Sequence, residues 1–181
     1  MSKAILFNFV VDKAHNSIHV ERSFNAPVDL VWAAWTDPEI LDLWWAPKPW
    51  KAETKSMDFS EGGRWLYAMV GPKGEKHWSV FDFETIHPEK DFSGKDAFCD
   101  EHAVIDATMP RTKWKNIFTA QPDETTLVNI TLQFETLADL EAIIQMGFKE
   151  GFTMGLENLD QYIALRKQKG PDQHPDAGID G

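Results

Sequence analysis

A chain of 181 residues with one cysteine and a formal charge of −11 suits a single domain and excludes an intramolecular disulfide framework. Hydrophobic residues make up 43% of it, yet no apolar run approaches the ~20 residues of a membrane span. So acidic a surface repels phosphate backbones, and Lys48, Lys51 and Lys55 around Trp50 read as a solvated strand face, so neither nucleic acid nor a membrane is expected as a partner.

The apolar opening, residues 4–11, is interrupted by Asn8 and followed by Asp12 and Lys13, without a small-residue cleavage pattern. It reads as a strand of the mature protein. Cys99 reads as a reduced, buried small apolar side chain, and with no export signal a cytoplasmic location is expected. Residues 5–11 and 17–24 are β-rich runs joined by a short polar connection, which predicts a hairpin. Asn25-Ala26-Pro27 stops the second run, and Pro27 is expected to open a helix with Asn25 or Ala26 near the cap. Val28, Val31, Trp32 and Trp35 then recur at helical spacing. Thr36 or Asp37 can cap a second short helix, with Pro38 in its first turn and Ile40, Leu41 and Trp44 as its apolar stripe.

A long β region follows. Strands are predicted over 50–59, 64–70, 77–86, 112–119 and 126–134, with a weaker one over 91–98 and a loop insertion over 100–109. Alternation puts Trp65, Tyr67 and Met69 on one face of their strand and Arg64, Leu66, Ala68 and Val70 on the other. Gly71-Pro72-Lys73-Gly74 suits a tight reversal. Residues 137–166 read as one long amphipathic helix with Leu140, Ile144, Phe148, Phe152, Leu159 and Tyr162 on its apolar face. Asp139, Lys149, Glu150, Glu157 and Asp160 fall opposite.

The expected architecture is α+β: an antiparallel sheet of seven or eight strands curved around the long C-terminal helix, with two short helices after an early strand. One domain spans 1–166, with a core over 17–166 and an N-terminal hairpin strand over 4–12. The polar, Gly- and Pro-rich segment 167–181 reads as a disordered tail.

Eight Trp and twelve Phe are more than a core of this size requires, and aromatic groups also line pockets for small apolar ligands. Trp35 and Trp44 lie on the buried sides of the short helices, while Trp65, Phe81, Phe83 and Phe118 lie on strand faces that can meet the long helix. Gly147, Gly151 and Gly155 fall within about 80° of one another on that helix, beside Phe148 and Phe152. They permit either close approach of the helix or space for a ligand beneath it. Asn158, at the edge of the same face, can orient a ligand or bond a strand. Trp35, Trp44, Trp65, Phe81, Phe83, Phe118, Phe148, Gly151, Gly155 and Asn158 are therefore the candidate ligand-binding residues.

Catalytic signals are weak. Asp82 and Glu84 share a strand face opposite Phe81 and Phe83, which makes them solvated. The histidines form no helical metal-binding pair, and Gly62-Gly63 lies between strands and reads as a hairpin turn. No catalytic residue, metal or cofactor is assigned.

The stretches Glu21-Arg22-Ser23-Phe24-Asn25-Ala26-Pro27, Val31-Trp32-Ala33-Ala34-Trp35-Thr36-Asp37-Pro38 and Trp44-Trp45-Ala46-Pro47 carry a resemblance, continued by Phe59-Ser60-Glu61-Gly62-Gly63-Arg64-Trp65 and Met69-Val70-Gly71-Pro72-Lys73-Gly74. Over residues 20–165 the chain resembles the activator-of-Hsp90-ATPase homologue 1-like family of the START/Bet v 1-like (SRPBCC) superfamily. That resemblance implies a helix-grip fold and, often, a hydrophobic cavity between sheet and C-terminal helix. It implies no single chemistry, since members bind lipids, carry or cyclise polyketides, or act as chaperone modules. The leading expectation is a non-enzymatic protein that binds a small hydrophobic molecule in that cavity. One alternative is an interaction module for an Hsp90-type partner, which a filled core would favour. Another is a cyclase or hydrolase using the same cavity, which a buried acidic, basic or histidine side chain facing the ligand would favour.

Overall fold

The computed structural model describes residues 5–169. Eight antiparallel strands form one sheet: β1 (Phe7–Asp12), β2 (Ser17–Phe24), β3 (Lys51–Met57), β4 (Arg64–Val70), β5 (Lys76–His87), β6 (Asp91–Cys99), β7 (Lys113–Gln121) and β8 (Thr125–Gln133). Their order is β1-β2-β8-β7-β6-β5-β4-β3, so the last strand pairs with the second and the rest follow as a meander. The β1–β2 hairpin turns through Asn16, whose left-handed φ of 51° asparagine tolerates better than most residues.

Two short helices, α1 (Val28–Thr36) and α2 (Pro38–Trp44), bridge β2 to β3. Pro27 itself occupies the α1 cap position, without a side-chain cap, so neither Asn25 nor Ala26 takes that role. Asp37 caps α2, its Oδ1 accepting from the Glu39 N–H at 2.9 Å.

The C-terminal helix differs from the expectation in one important respect. It is two helices, α3 (Leu137–Gln145) and α4 (Phe148–Lys169), broken at Met146 and Gly147. Gly147 has φ +91°, where a side chain would be strained. Its N–H bonds the Ile144 carbonyl at 3.0 Å, and its own carbonyl accepts from Gly151 N–H at 3.0 Å to open α4. The break resets the helical phase. Leu140 and Ile143 are buried from α3, and Phe152, Leu156, Leu159 and Ile163 from α4, while Ile144, Phe148 and Tyr162 are half-buried at the edge. Helix α4 also runs on to Lys169, past the expected end at Arg166. The rest of the segment read as a disordered tail lies outside the described residues.

These helical residues pack against Ile18, Val20, Val128, Ile130 and Leu132 on the concave side of the sheet. Burying each such side chain contributes about 1.5–3 kcal/mol. Asp160 does not simply face solvent: it receives two hydrogen bonds from Arg22 of β2, which is 4% exposed and also donates to the Ser23 carbonyl. The convex side carries a smaller cluster, Leu66, Val80 and Ala97, covered by Trp78, Cys99, Ala103 and Ile105. The loop expected over 100–109 therefore folds back on the sheet, bridged at Cys99 and Ile105. Cys99 is half-buried there, and burial pushes its thiol up, which disfavours the reactive thiolate.

Candidate functional site

A cavity of about 250 Å³ lies between the sheet and the α3–α4 junction. Its walls are largely aromatic. Trp45 and Trp114 stand with ring centroids 5.8 Å apart, and Phe152 is 6.2 Å from the first and 5.8 Å from the second. Phe148 stacks on Phe152 at 5.2 Å. Tyr67 accepts a hydrogen bond from Trp45 Nε1 at 3.0 Å, and burial raises its phenol, so the hydroxyl stays neutral. The break in the helix opens this space, because Ile143, Met146, Gly147, Phe148 and Gly151 all border it. His77, exposed, borders it from β5.

One carboxylate faces this apolar enclosure. On β6 the alternation Phe92, Gly94, Asp96, Phe98 puts Asp96 on the concave side, opposite Phe81 of β5. Gly94 is required beside it: a Cβ there would meet Phe81 Cε1 at 2.2 Å and the Asp82 carbonyl at 2.4 Å. The Asp96 carboxylate is held from two residues. Thr112 N–H reaches Oδ1 at 2.8 Å and Trp114 Nε1–H reaches Oδ2 at 2.8 Å. Arg111 is close but otherwise engaged, donating Nε to the Asp96 backbone carbonyl at 2.9 Å and Nη2 to Asp82 at 3.0 Å. Among the described residues, Asp96 makes no ion pair. Desolvation therefore dominates, and against the pull of Trp114, Thr112 and Arg111 it raises the Asp96 carboxyl to about 6. Asp96 is half-buried, and it borders the cavity amid protein dense enough to act as an interior site. Such a group can accept a ligand's donor or exchange a proton near neutral pH.

The model of the family described as Activator of Hsp90 ATPase homolog 1-like protein matches residues 25–164. The chain belongs to this family. The fold agrees with solved members and neighbours. A protein from Arthrobacter aurescens is 28% identical with a TM-score of 0.82, over 88% of this chain and 92% of that one. Protein Ms6760 from Mycobacterium smegmatis is 23% identical with a TM-score of 0.80, over 94% and 99% of the two chains. The AHSA1 protein from Silicibacter pomeroyi, 20% identical, has a TM-score of 0.63 over 82% and 98%. None of the curated proteins matches the chain.

In this AHSA1-like domain the candidates read from sequence separate into three groups. Phe148 and Gly151 border the cavity. Trp35, Trp65, Phe81 and Phe83 surround a second, inner chamber of about 20 Å³, which Trp45 and Trp114 also line. Trp44, Phe118, Gly155 and Asn158 border neither space. Trp44 is buried with Nε1 on the Ala34 carbonyl at 2.8 Å, and Phe118 packs on Trp32, Trp35 and Phe92. Asn158 donates to the Ala46 carbonyl at 3.0 Å and the Trp44 carbonyl at 3.4 Å, tying α4 to the end of α2. Gly155 belongs to the same junction, since a Cβ there would stand 3.2 Å from the Trp44 carbonyl oxygen and 3.3 Å from that of Trp45. The glycine stripe thus serves three purposes: a helix break, a cavity wall and a close approach.

Asp82 and Glu84 face outward and form no catalytic pair. Burial pushes Asp82 up, but Arg64 and Arg111 together outweigh it and hold the carboxyl below its usual range. Among the described residues no three His, Cys, Asp or Glu side chains gather as metal ligands, and no helix is long and apolar enough to cross a membrane. Sequence reasoning missed Trp45, Tyr67, Asp96, Trp114 and Asn116. Period-two alternation with Phe92 and Phe98 marks Asp96, and alternation with Phe118 marks Trp114 and Asn116.

Proposed function

We propose that the protein binds a small, mainly apolar molecule in the cavity between sheet and helices. The observation that carries this reading is an aromatic enclosure of about 250 Å³ with an acidic group on its wall. Ligand sites are typically apolar cavities with a few placed polar groups. A cavity of about 150 Å³ takes up benzene, so this one suits a body of one or two rings. An Hsp90-type partner is the alternative that the family description suggests; the hollow core favours a ligand, because a surface module needs no cavity. Asp96 supports a second reading, general acid–base catalysis on the bound molecule, as in a cyclase or hydrolase. Native mass spectrometry of protein purified from its own host tests both. A bound small molecule released on denaturation supports binding, and turnover of that molecule on prolonged incubation, abolished in Asp96→Asn, supports catalysis. Protein that carries no adduct and takes up no apolar probe contradicts both.

A further inference from the structure

We infer that the cavity takes an aromatic or otherwise apolar amine in its protonated form, with the ammonium on Asp96 and the body among Trp45, Trp114, Phe148 and Phe152. This rests on the cavity being a ligand site. It adds the chemical class of the ligand.

Three observations converge. First, a carboxylate in an interior setting is ordinarily paired, and Asp96 has no cationic partner among the described residues, since Arg111 turns Nη2 to Asp82. Second, Thr112 and Trp114 each occupy one carboxylate oxygen, which fixes the group without using all the lone pairs that a carboxylate offers. Third, the rings of Trp45, Trp114, Phe148 and Phe152 give the amine's apolar body a surface to bury against, beside the carboxylate that Trp114 holds. The net charge of −11 acts in the same direction over longer range, drawing cations and repelling anions. An alcohol could donate to Asp96 but would add no charge to offset the carboxylate beyond the distant pull of Arg111. A fatty or aromatic carboxylate would meet a like charge. The charged or titratable side chains around Asp96 are Arg111, Tyr67 and His77; α3 and α4 contribute none to the cavity lining.

The test compares three probes of one shape: 1-naphthylmethylamine, 1-naphthylmethanol and 1-naphthoate, titrated calorimetrically at pH 7.5. The amine should bind at least about tenfold more tightly than the alcohol, the margin of a charge-assisted over a neutral hydrogen bond, and the naphthoate weakest. In Asp96→Asn the amine should fall to the level of the alcohol, while retained alcohol binding shows the cavity intact. Should that variant not fold, wild-type protein carries the test. Lowering the pH to 5 neutralises Asp96 while the amine stays protonated, so the amine's advantage should shrink. His77 also borders the cavity, so the series is repeated in His77→Gln, where the loss should persist. An alcohol that binds as tightly as the amine, or an amine affinity unchanged by both Asp96→Asn and pH, overturns the amine assignment and leaves the cavity reading standing. Failure of all three probes to bind overturns both.

Discussion

Trp114 Nε1 donates to Asp96 Oδ2 at 2.8 Å, so one wall of the aromatic enclosure also holds its acidic group. The hydrogen bond favours the ionised form, while burial opposes it more strongly. The folded-state value of about 6 lies above the unfolded value of 3.8, so the folded chain holds this proton more tightly. The resulting stability is fully present below about pH 4 and is lost as pH rises through about 6. Asp12, Asp100 and Asp106 shift the opposite way, so only the difference between wild type and Asp96→Asn isolates the effect. Urea denaturation at pH 4 and pH 7.5 should show the variant gaining relative to wild type by up to about 3 kcal/mol at the higher pH. A difference independent of pH would place Asp96 in a setting no different from water.

The three glycines should answer differently to substitution. Gly151→Ala places its Cβ 3.7 Å from Pro47 Cγ, an ordinary contact, and should stabilise by about 0.5–1 kcal/mol through helix propensity. Gly155→Ala must displace the Trp44 and Trp45 carbonyls, so the propensity gain is offset and thermal stability should fall. Gly147→Ala meets open space but keeps φ at +91°, which costs about 1–2 kcal/mol. Equal melting temperatures for all three variants would contradict this division.

Arg22 and Asp160 bind the face of β2 to α4. Arg22 is buried against the Phe24 ring at 4.9 Å, while Asp160 retains 28% exposure. Removing the acid should therefore harm more than its position suggests, because it strands a buried guanidinium. Asp160→Leu is expected to cost about 3 kcal/mol in chemical denaturation, with Arg22→Met/Asp160→Leu recovering part of it. A single variant costing under about 0.5 kcal/mol, the range of remote surface changes, would show the pair to be incidental.

The inner chamber contains a matched donor and acceptor. Trp35 Nε1 and Asn116 Oδ1 are buried without a hydrogen-bond partner, and both residues line a space of about 20 Å³. That is room for one water, which would satisfy both groups. A crystal structure at high resolution should show one ordered water bridging them. Asn116→Leu should expel it and destabilise by about 1–3 kcal/mol, because the Trp35 indole N–H then stays buried without an acceptor. A dry chamber with both groups still unpaired would contradict this.

Much of the fold is legible in the sequence because its signals are local. The turn residues Gly62-Gly63 and Gly71-Pro72 bracket β4, and aromatic residues two apart indicate the shared inward face of Trp65 and Tyr67. Asp37-Pro38 announces α2 by cap chemistry alone. The break at Gly147 is not legible in the same way, since apolar residues continue at helical spacing through it and only the backbone angle distinguishes a terminus from an interior glycine. Trp44 ends α2 and Trp45 follows it, and tertiary packing decides which of them turns to the cavity. Strand β6, diluted by Ser93, Gly94 and Lys95, reads weakly, so the inward place of Asp96 is easily passed over.

Binding itself is tested most directly by titrating a small apolar fluorescent probe into wild-type protein and Gly151→Leu, with melting temperatures measured in parallel. Gly151 borders the cavity, and a leucine there would occupy it. Wild type should take up one probe per chain, and the variant should take up little while melting at the same or a higher temperature. Wild type that takes up no probe, beside a destabilised Gly151→Leu, would show that the space is closed by packing and that the domain holds no small molecule there.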